Sequence, residues 1–342
     1  MKKNLLSDGQ GRLAAALLSP AMAVILVVVG IPILLSLREA FFRIERIQNP
    51  QTGRLQSYEY FAGLDNFTRI LTRPDLVQAN YGQTDRFWNA FLNTSFFTLV
   101  CVLLETVIGV AMAVTMARAF RGRGLVRAGI LVPWAIPTIV SALMWKLIFD
   151  EAGIMNQVIG QHVLWLADGP QSFWAVVIAD VWKTAPFIGL LTLAGLQTIP
   201  AEVYEAAKVD GATAWQSFVR ITLPMVQPTL VVAVLFRALD TLRMFDLPVG
   251  LIGMGKYSVE TLSMFSYLEA DQSRYGPAAA YSILLFLYIV LVAFLFVRFL
   301  GADVIGDDEV RAIRAQRKRE RARRKATKAG PVRTSVTSGD MP

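Results

Sequence analysis

Histidine, cysteine and charge are scarce in this sequence, and each shortage removes a class of function. One cysteine, Cys101, occurs in 342 residues, so no disulfide framework and no thiolate metal cluster can be built from the chain. One histidine, His162, makes no zinc site by itself. Charged residues are 18% of the total, below the ~25% usual for soluble globular domains. No complete nucleotide motif occurs either. Residues 250–257 approach a phosphate-binding loop with Gly250, Gly255 and Lys256, but Tyr257 stands where Ser or Thr is needed to hold magnesium. That stretch also lacks the strand before and the helix after that such a loop requires.

What is abundant is apolar sequence. Hydrophobic residues reach 54%, and the mean hydropathy is +0.47. A helix needs roughly 20 apolar residues to cross the ~30 Å hydrocarbon core. Six runs qualify, at residues 13–37, 88–117, 125–149, 172–197, 228–252 and 277–300. The first exceeds the ~7–15 residues of a secretory h-region and lacks a small-residue cleavage site, so it is read as a retained helix. Pro20, Pro32, Pro133, Pro137, Pro186 and Pro248 lie within runs. Neighbouring helices can satisfy the carbonyls they free, so kinks or broken helices are expected there.

Loop charge sets the orientation. Lys2, Lys3 and Arg12 precede the first run, and Arg118, Arg121, Arg123 and Arg127 follow the second with no acid among them. Twelve of the 34 Lys and Arg lie from Arg298 onward. With six spans all three clusters fall on one side, so both termini are expected in the cytoplasm. The net charge of +8 therefore belongs to loops and a tail. The tail reads first as a solvated stop-transfer segment and second as a contact for anionic lipid or a partner, and it has no interleaved aromatics for stacking on nucleic-acid bases. The expected segments are a cytoplasmic tail at 1–12, a first span at 13–37, and an external segment at 38–87 with seven arginines and six acids. A five-span membrane domain at 88–300 and a basic, flexible cytoplasmic tail at 301–342 complete them. The external segment is long enough for a small domain or cap.

A polar module interrupts the apolar sequence at residues 201–228. Pro200 suits the entry to a helix. Good helix formers follow to Val209, with Glu205 and Lys208 spaced for an ion pair. Asp210 and Gly211 supply a stop, Gly211 suiting a left-handed residue. Thr213 can cap a second helix from Ala214 to about Thr222, with Trp215 and Phe218 on one face. Pro224 and Pro228 are expected to end it. Surface-seeking helices carry mostly Lys and Arg on the polar face. This module mixes charges, which points to a protein partner.

Here a resemblance becomes specific. Glu205, Ala206 and Ala207, with Asp210, Gly211, Ala212, Phe218, Ile221, Leu223, Pro224 and Pro228, resemble the EAA loop of binding-protein-dependent ABC importer permeases. "FWNAFLNTSFFT", "VPWAIPTIVSALMWKLIFD", "FRALDTLRMFD", "VETLSMFSY" and "YGPAAAYSILLF" are similar to the carbohydrate-uptake, maltose-transporter-type branch, as is "FAGLDNFTRIL" in the external segment. The resemblance implies an all-α membrane protein with the type I ABC importer permease fold. In that family the loop inserts into a groove of a cytoplasmic ATPase. Carried over, Glu205, Ala206, Ala207, Asp210, Gly211 and Arg220 would couple the chain to that ATPase.

Charges inside membrane runs are costly and face a cavity or a partner. Glu105 lies in the second run, Asp180 and Lys183 in the fourth. Arg237, Asp240, Arg243 and Asp246 follow at intervals of three in the fifth. Each interval turns about 300°, so on one continuous helix they would fan over half its circumference. Internal ion pairing is one reading of them. The other is a pathway for a polar solute. Carboxylates and guanidinium groups bond vicinal hydroxyls, aromatic rings stack on sugar faces, and the resemblance implies that this helix lines the solute site. Asp240, Arg243 and Asp246 are the candidate pathway residues, with Phe245 and Trp182 as the aromatic candidates.

The expected function is the permease subunit of a sugar importer in a bacterial or archaeal inner or plasma membrane. It implies a second homologous permease, two ATP-binding subunits that carry ATP and magnesium, and an extracytoplasmic solute-binding protein. No cofactor, metal or catalytic residue is expected on this chain. A sugar phosphate is an alternative solute. A self-sufficient secondary transporter would need ion-coupling residues and usually internal inverted repeats, and no half-to-half match is evident. A membrane-embedded enzyme would need a nucleophile–base or metal constellation that the composition denies.

Overall fold

Apolar length decides most of the architecture. In the computed structural model five helices are long and apolar enough to cross a membrane: Leu13–Ala40, Arg86–Ala117, Pro170–Leu196, Ala214–Leu242 and Tyr275–Phe299. A bent pair, Arg123–Ala135 and Thr138–Ile148 at 97°, makes a sixth if it is one span. The structure describes residues 5–48, 55–72, 76–79 and 82–301. The expected tail at 302–342 and the first four residues lie outside them. The chain divides into two compact units, Met1–Ala293 and Phe294–Pro342.

Helix α1 (Leu5–Ile25) passes through a π-helical turn at Leu26–Gly30 into α2 (Ile31–Ala40). Strands β1 (Phe42–Gln48) and β2 (Leu55–Phe61), helix α3 (Asp65–Thr72), and strands β3 (Leu76–Ala79) and β4 (Gly82–Asp85) follow. Then come α4 (Arg86–Ala117), α5 (Arg123–Ala135), α6 (Thr138–Ile148), α7 (Ile154–Ile159) and α8 (Pro170–Leu196). The rest is α9 (Ala201–Val209), α10 (Ala214–Ser217), a π-helical turn at Phe218–Thr222, α11 (Leu223–Leu242), α12 (Asp246–Leu251), α13 (Leu262–Asp271) and α14 (Tyr275–Phe296).

The structure corrects the all-α expectation in the segment after the first span. β1 and β2 pair antiparallel from Phe42 opposite Phe61 to Gln48 opposite Leu55, and β3 pairs with β4. Alternating apolar and polar residues with Tyr58, Tyr60 and Phe61 favour strand over helix there. Nor does the segment stand apart as a domain. Asn66 donates from Nδ2 to the carbonyls of Ala40 and Phe42, both at 2.9 Å, pinning α3 to the end of α2. Ala40 and Ile70 share a buried cluster with Phe87, Phe265 and Tyr281, so α3 is part of the membrane domain's outer packing.

Two breaks follow proline chemistry. Ile136 precedes Pro137 and takes extended angles (φ −73°, ψ 133°), because proline disfavours the helical region for the residue before it. That separates α5 from α6. In contrast, Pro224 does not end the second module helix. The π turn at Phe218–Thr222 widens the helix just ahead of it, and Ala214–Leu242 runs on as one span.

Helices α4, α8 and α11 form the centre. They approach closely because small residues face one another. A Cβ on Gly109 would lie 2.8 Å from the Cβ of Ile188 and 2.9 Å from the carbonyl of Ala185, and one on Gly195 would lie 2.7 Å from Val226. Phe97 stacks on Phe173 at 4.3 Å in the same core.

Candidate functional site

Three helices bring one guanidinium and three carboxylates together. Arg237 on α11 donates from Nε to Glu105 Oε2 at 2.6 Å and from Nη2 to Glu105 Oε1 at 3.0 Å. Nη2 also bonds Asp180 on α8, and Nη1 reaches Asp240 at 2.8 Å. Thr184 donates to Glu105 Oε1 at 2.6 Å. Glu105 is 0% and Arg237 3% exposed. An ion pair so buried holds only if its remaining hydrogen-bonding positions are filled, and here they are. The Cys101 thiol lies beside Glu105 and Asp180 at metal-ligand spacing. The Arg237 guanidinium already supplies the positive charge a metal ion would bring.

Beside this network opens a cavity of about 390 Å³, within the size range of small-molecule sites. Asp240, Arg243, Phe245 and Asp246 all line it. Arg237, Asp180, Lys183 and Thr184 form its inner wall, and Trp134 and Thr138 reach it from α5 and α6. The four-residue fan on one helix is corrected. α11 stops at Leu242, Arg243 caps it, and Asp246 opens α12, so the charges converge through a break in the chain. Asp240 is shared between Arg237 and Arg243, the latter at 3.3 Å. Lys183 donates to the carbonyl of Ile136 at 2.7 Å, capping α5 where it breaks. Trp182 is not a lining residue of this cavity. It packs edge-on against Trp145 at 5.7 Å. Thr138, Thr184 and Trp134 escaped sequence reasoning because neutral residues in an apolar run carry no cost signal.

The polar module is built as its spacing predicts in the turn, and differently beyond it. α9 ends at Asp210, and Gly211 takes φ +76°. Ala212 N–H returns to the carbonyl of Ala207 at 2.9 Å, closing the turn. Thr213 caps α10 through Gln216 N–H, and the Gln216 side chain accepts from Thr213 N–H, a reciprocal capping box. Ala207 is buried, whereas Glu205, Ala206, Asp210, Gly211 and Arg220 are exposed. A Cβ on Gly211 would meet nothing within 4 Å, so the backbone of the turn stands open to its surroundings. Among the described residues no ion pair joins Glu205 to Lys208, although their spacing allows one, and both side chains are exposed.

The near-match to a phosphate loop is a clamp between loops. Arg86 holds Glu260 by two bonds of 2.9 and 2.6 Å, and Asn89 and Asn93 donate to the Tyr257 carbonyl at 2.7 and 2.8 Å. Lys256 donates to the Leu166 carbonyl. Its amine is engaged in tying two loops together.

A family model for the binding-protein-dependent transport system inner membrane component matches residues 105–305. The chain is 39% identical over 236 residues to the trehalose/maltose transport system permease protein MalF of Thermococcus litoralis, covering 67% of this chain and 76% of that one. It is 34% identical over 300 residues to the trehalose transport system permease protein SugA of Mycobacterium tuberculosis, covering 87% and 91%. Among solved structures, a bacterial ABC transporter involved in the import of the acidic polysaccharide alginate superposes with a TM-score of 0.71 at 21% identity, over 87% of this chain and 99% of that one. At that identity the likeness is one of fold.

Proposed function

The chain belongs to the binding-protein-dependent transport system inner membrane component family, and on that premise we propose that it is the permease subunit of an ATP-driven sugar importer. One observation carries the substrate class. Two relatives more than 30% identical, each matched over two thirds or more of this chain, are named as trehalose/maltose or trehalose transport permeases. The cavity's mixture of carboxylates, two guanidinium groups and two aromatic side chains supports it chemically.

The chain forms half of a translocation pathway and a second homologous permease forms the other half. Two ATP-binding subunits bind ATP and magnesium and grip the turn at Glu205, Ala206, Ala207, Asp210 and Gly211, with Arg220 as a flanking contact. An extracytoplasmic binding protein delivers the sugar from the opposite side. Closure of the ATPases pushes on α9, and α11 carries the displacement, since it is continuous from α10 through the π turn. Asp240, Arg243 and Asp246 then receive the sugar hydroxyls, with Phe245 against a ring face. Both termini lie in the cytoplasm, in a bacterial or archaeal plasma membrane.

Reconstitution tests this reading. Sugar uptake should require the second permease, the ATPases and the binding protein together. Uptake by this chain alone would overturn it.

A further inference from the structure

A second cavity, about 1220 Å³, lies between α4, the end of α8 and the polar module. Its long wall is α4 from Thr106 to Ala117, with Val107, Val110 and Val114 facing in, and Leu230 of α11 opposes them. Eleven steps of about 1.5 Å make that wall about 16 Å long. This is close to half of the ~30 Å hydrocarbon core, the depth of one leaflet. At its end stand two cations, Arg118 at the cap of α4 and Lys208 in the last turn of α9. No Asp or Glu is among the described residues lining it. Trp215, 72% exposed, also lines the cavity, and membrane–water interfaces favour its amphipathic ring.

We propose that this groove binds an anionic phospholipid of the adjoining leaflet, its acyl chain along α4 and its phosphate between Arg118 and Lys208. An apolar wall of leaflet depth ending in charge of one sign matches a lipid's own pattern of tail and anionic head. A water-soluble ATPase subunit cannot follow α4 that far into hydrocarbon. Because α9 and α10 roof the groove, an occupied groove braces the module against α4, so lipid and ATPase act on the same short helices. That consequence rests on reading the module as the coupling element.

The test uses the complete importer in vesicles of phosphatidylcholine alone or with phosphatidylglycerol, each doped with a phospholipid of the same headgroup bearing a photoreactive acyl chain. Capture on peptides covering 106–118 and 201–230 should be several-fold higher with the anionic probe. Each interfacial cation contributes about fivefold to anionic partition. The pair R118Q and K208Q should therefore lower anionic capture about tenfold or more and leave neutral capture unchanged. Neutralising Arg321, Arg323 and Arg324 in the basic tail should not alter capture in the groove. Equal capture of both lipids, or an anionic preference that survives R118Q/K208Q, overturns the proposal. So does a photoreactive residue placed at Val110 that captures the second permease instead of lipid. Lipid capture requires no turnover, so a failure of sugar uptake would count against the transport reading and leave this result standing.

Discussion

Arg237 grips Glu105 with two hydrogen bonds, Nε to Oε2 at 2.6 Å and Nη2 to Oε1 at 3.0 Å, across 132 positions of sequence and in the centre of the helix packing. The same guanidinium holds Asp180 and Asp240. One cation thus joins α4, α8 and α11, and its neighbours line the cavity that the sugar is proposed to enter.

Removing Arg237 leaves the buried Glu105 and Asp180 without their cation, and removing Glu105 takes away the carboxylate that Arg237 holds by two bonds. Glu105→Ala or Arg237→Ala should destabilise the chain by about 3–5 kcal/mol. The double replacement Glu105→Met with Arg237→Met should be milder than Arg237→Ala, because it leaves one buried carboxylate, Asp180, without its guanidinium rather than two. Melting of the purified complex and the amount recovered in membranes measure both. A double variant as unstable as the single one would contradict the account.

At the turn, Gly211→Asp introduces a Cβ with nothing within 4 Å of it. The left-handed backbone costs it about 1 kcal/mol. Membrane abundance should stay near normal while binding-protein-stimulated ATP hydrolysis by the full complex is lost. Normal stimulation would remove Gly211 from the ATPase contact.

Cavity residues should separate from their neighbours kinetically. Asp246→Asn should raise the KM for sugar uptake about tenfold, the loss of one charged hydrogen bond of about 1.5 kcal/mol or more, with assembly intact. Trp182→Ala, outside the lining, should alter stability more than KM. The reverse pattern would move the solute site toward α6 and α8.

Lys183 caps the broken helix by donating to the Ile136 carbonyl at 2.7 Å. Lys183→Met should cost about 1.5–3 kcal/mol, the worth of a charged hydrogen bond. Hydrogen exchange should rise at residues 133–138 above its change elsewhere. Unchanged exchange there would mean that the break is held by proline sterics alone.

The capping box offers a smaller effect. Thr213→Ala should weaken α10 by about 1 kcal/mol. Thr213→Ser should restore it, read as recovery of stimulated ATPase activity.

Properties that chain chemistry imposes locally are legible in the sequence. Apolar length placed the spans, because a bilayer demands about 20 residues whatever they pack against. Gly211 and Thr213 announced their turn and cap, because φ above zero and an orphan N–H have few residue solutions. Pro137 announced a break. Other features depended on what lies next to what. The hairpins after α2 were hidden by a balance of charge that masked their alternation. Charges at intervals of three predict a fan on one helix, but that helix ends at Leu242. Its members meet only because the break at Arg243–Phe245 folds Asp246 back toward Asp240. Trp182 and Phe245 looked equivalent as aromatics, and packing alone put one in the cavity and the other against Trp145. The sequence by itself determined that this chain carries membrane-length apolar helices and a polar, glycine-based turn, since apolar length and backbone geometry act on single segments. Only the tertiary structure decided which charges are locked together and which face open space, since an ion pair's role depends on the dielectric and the neighbours that folding supplies.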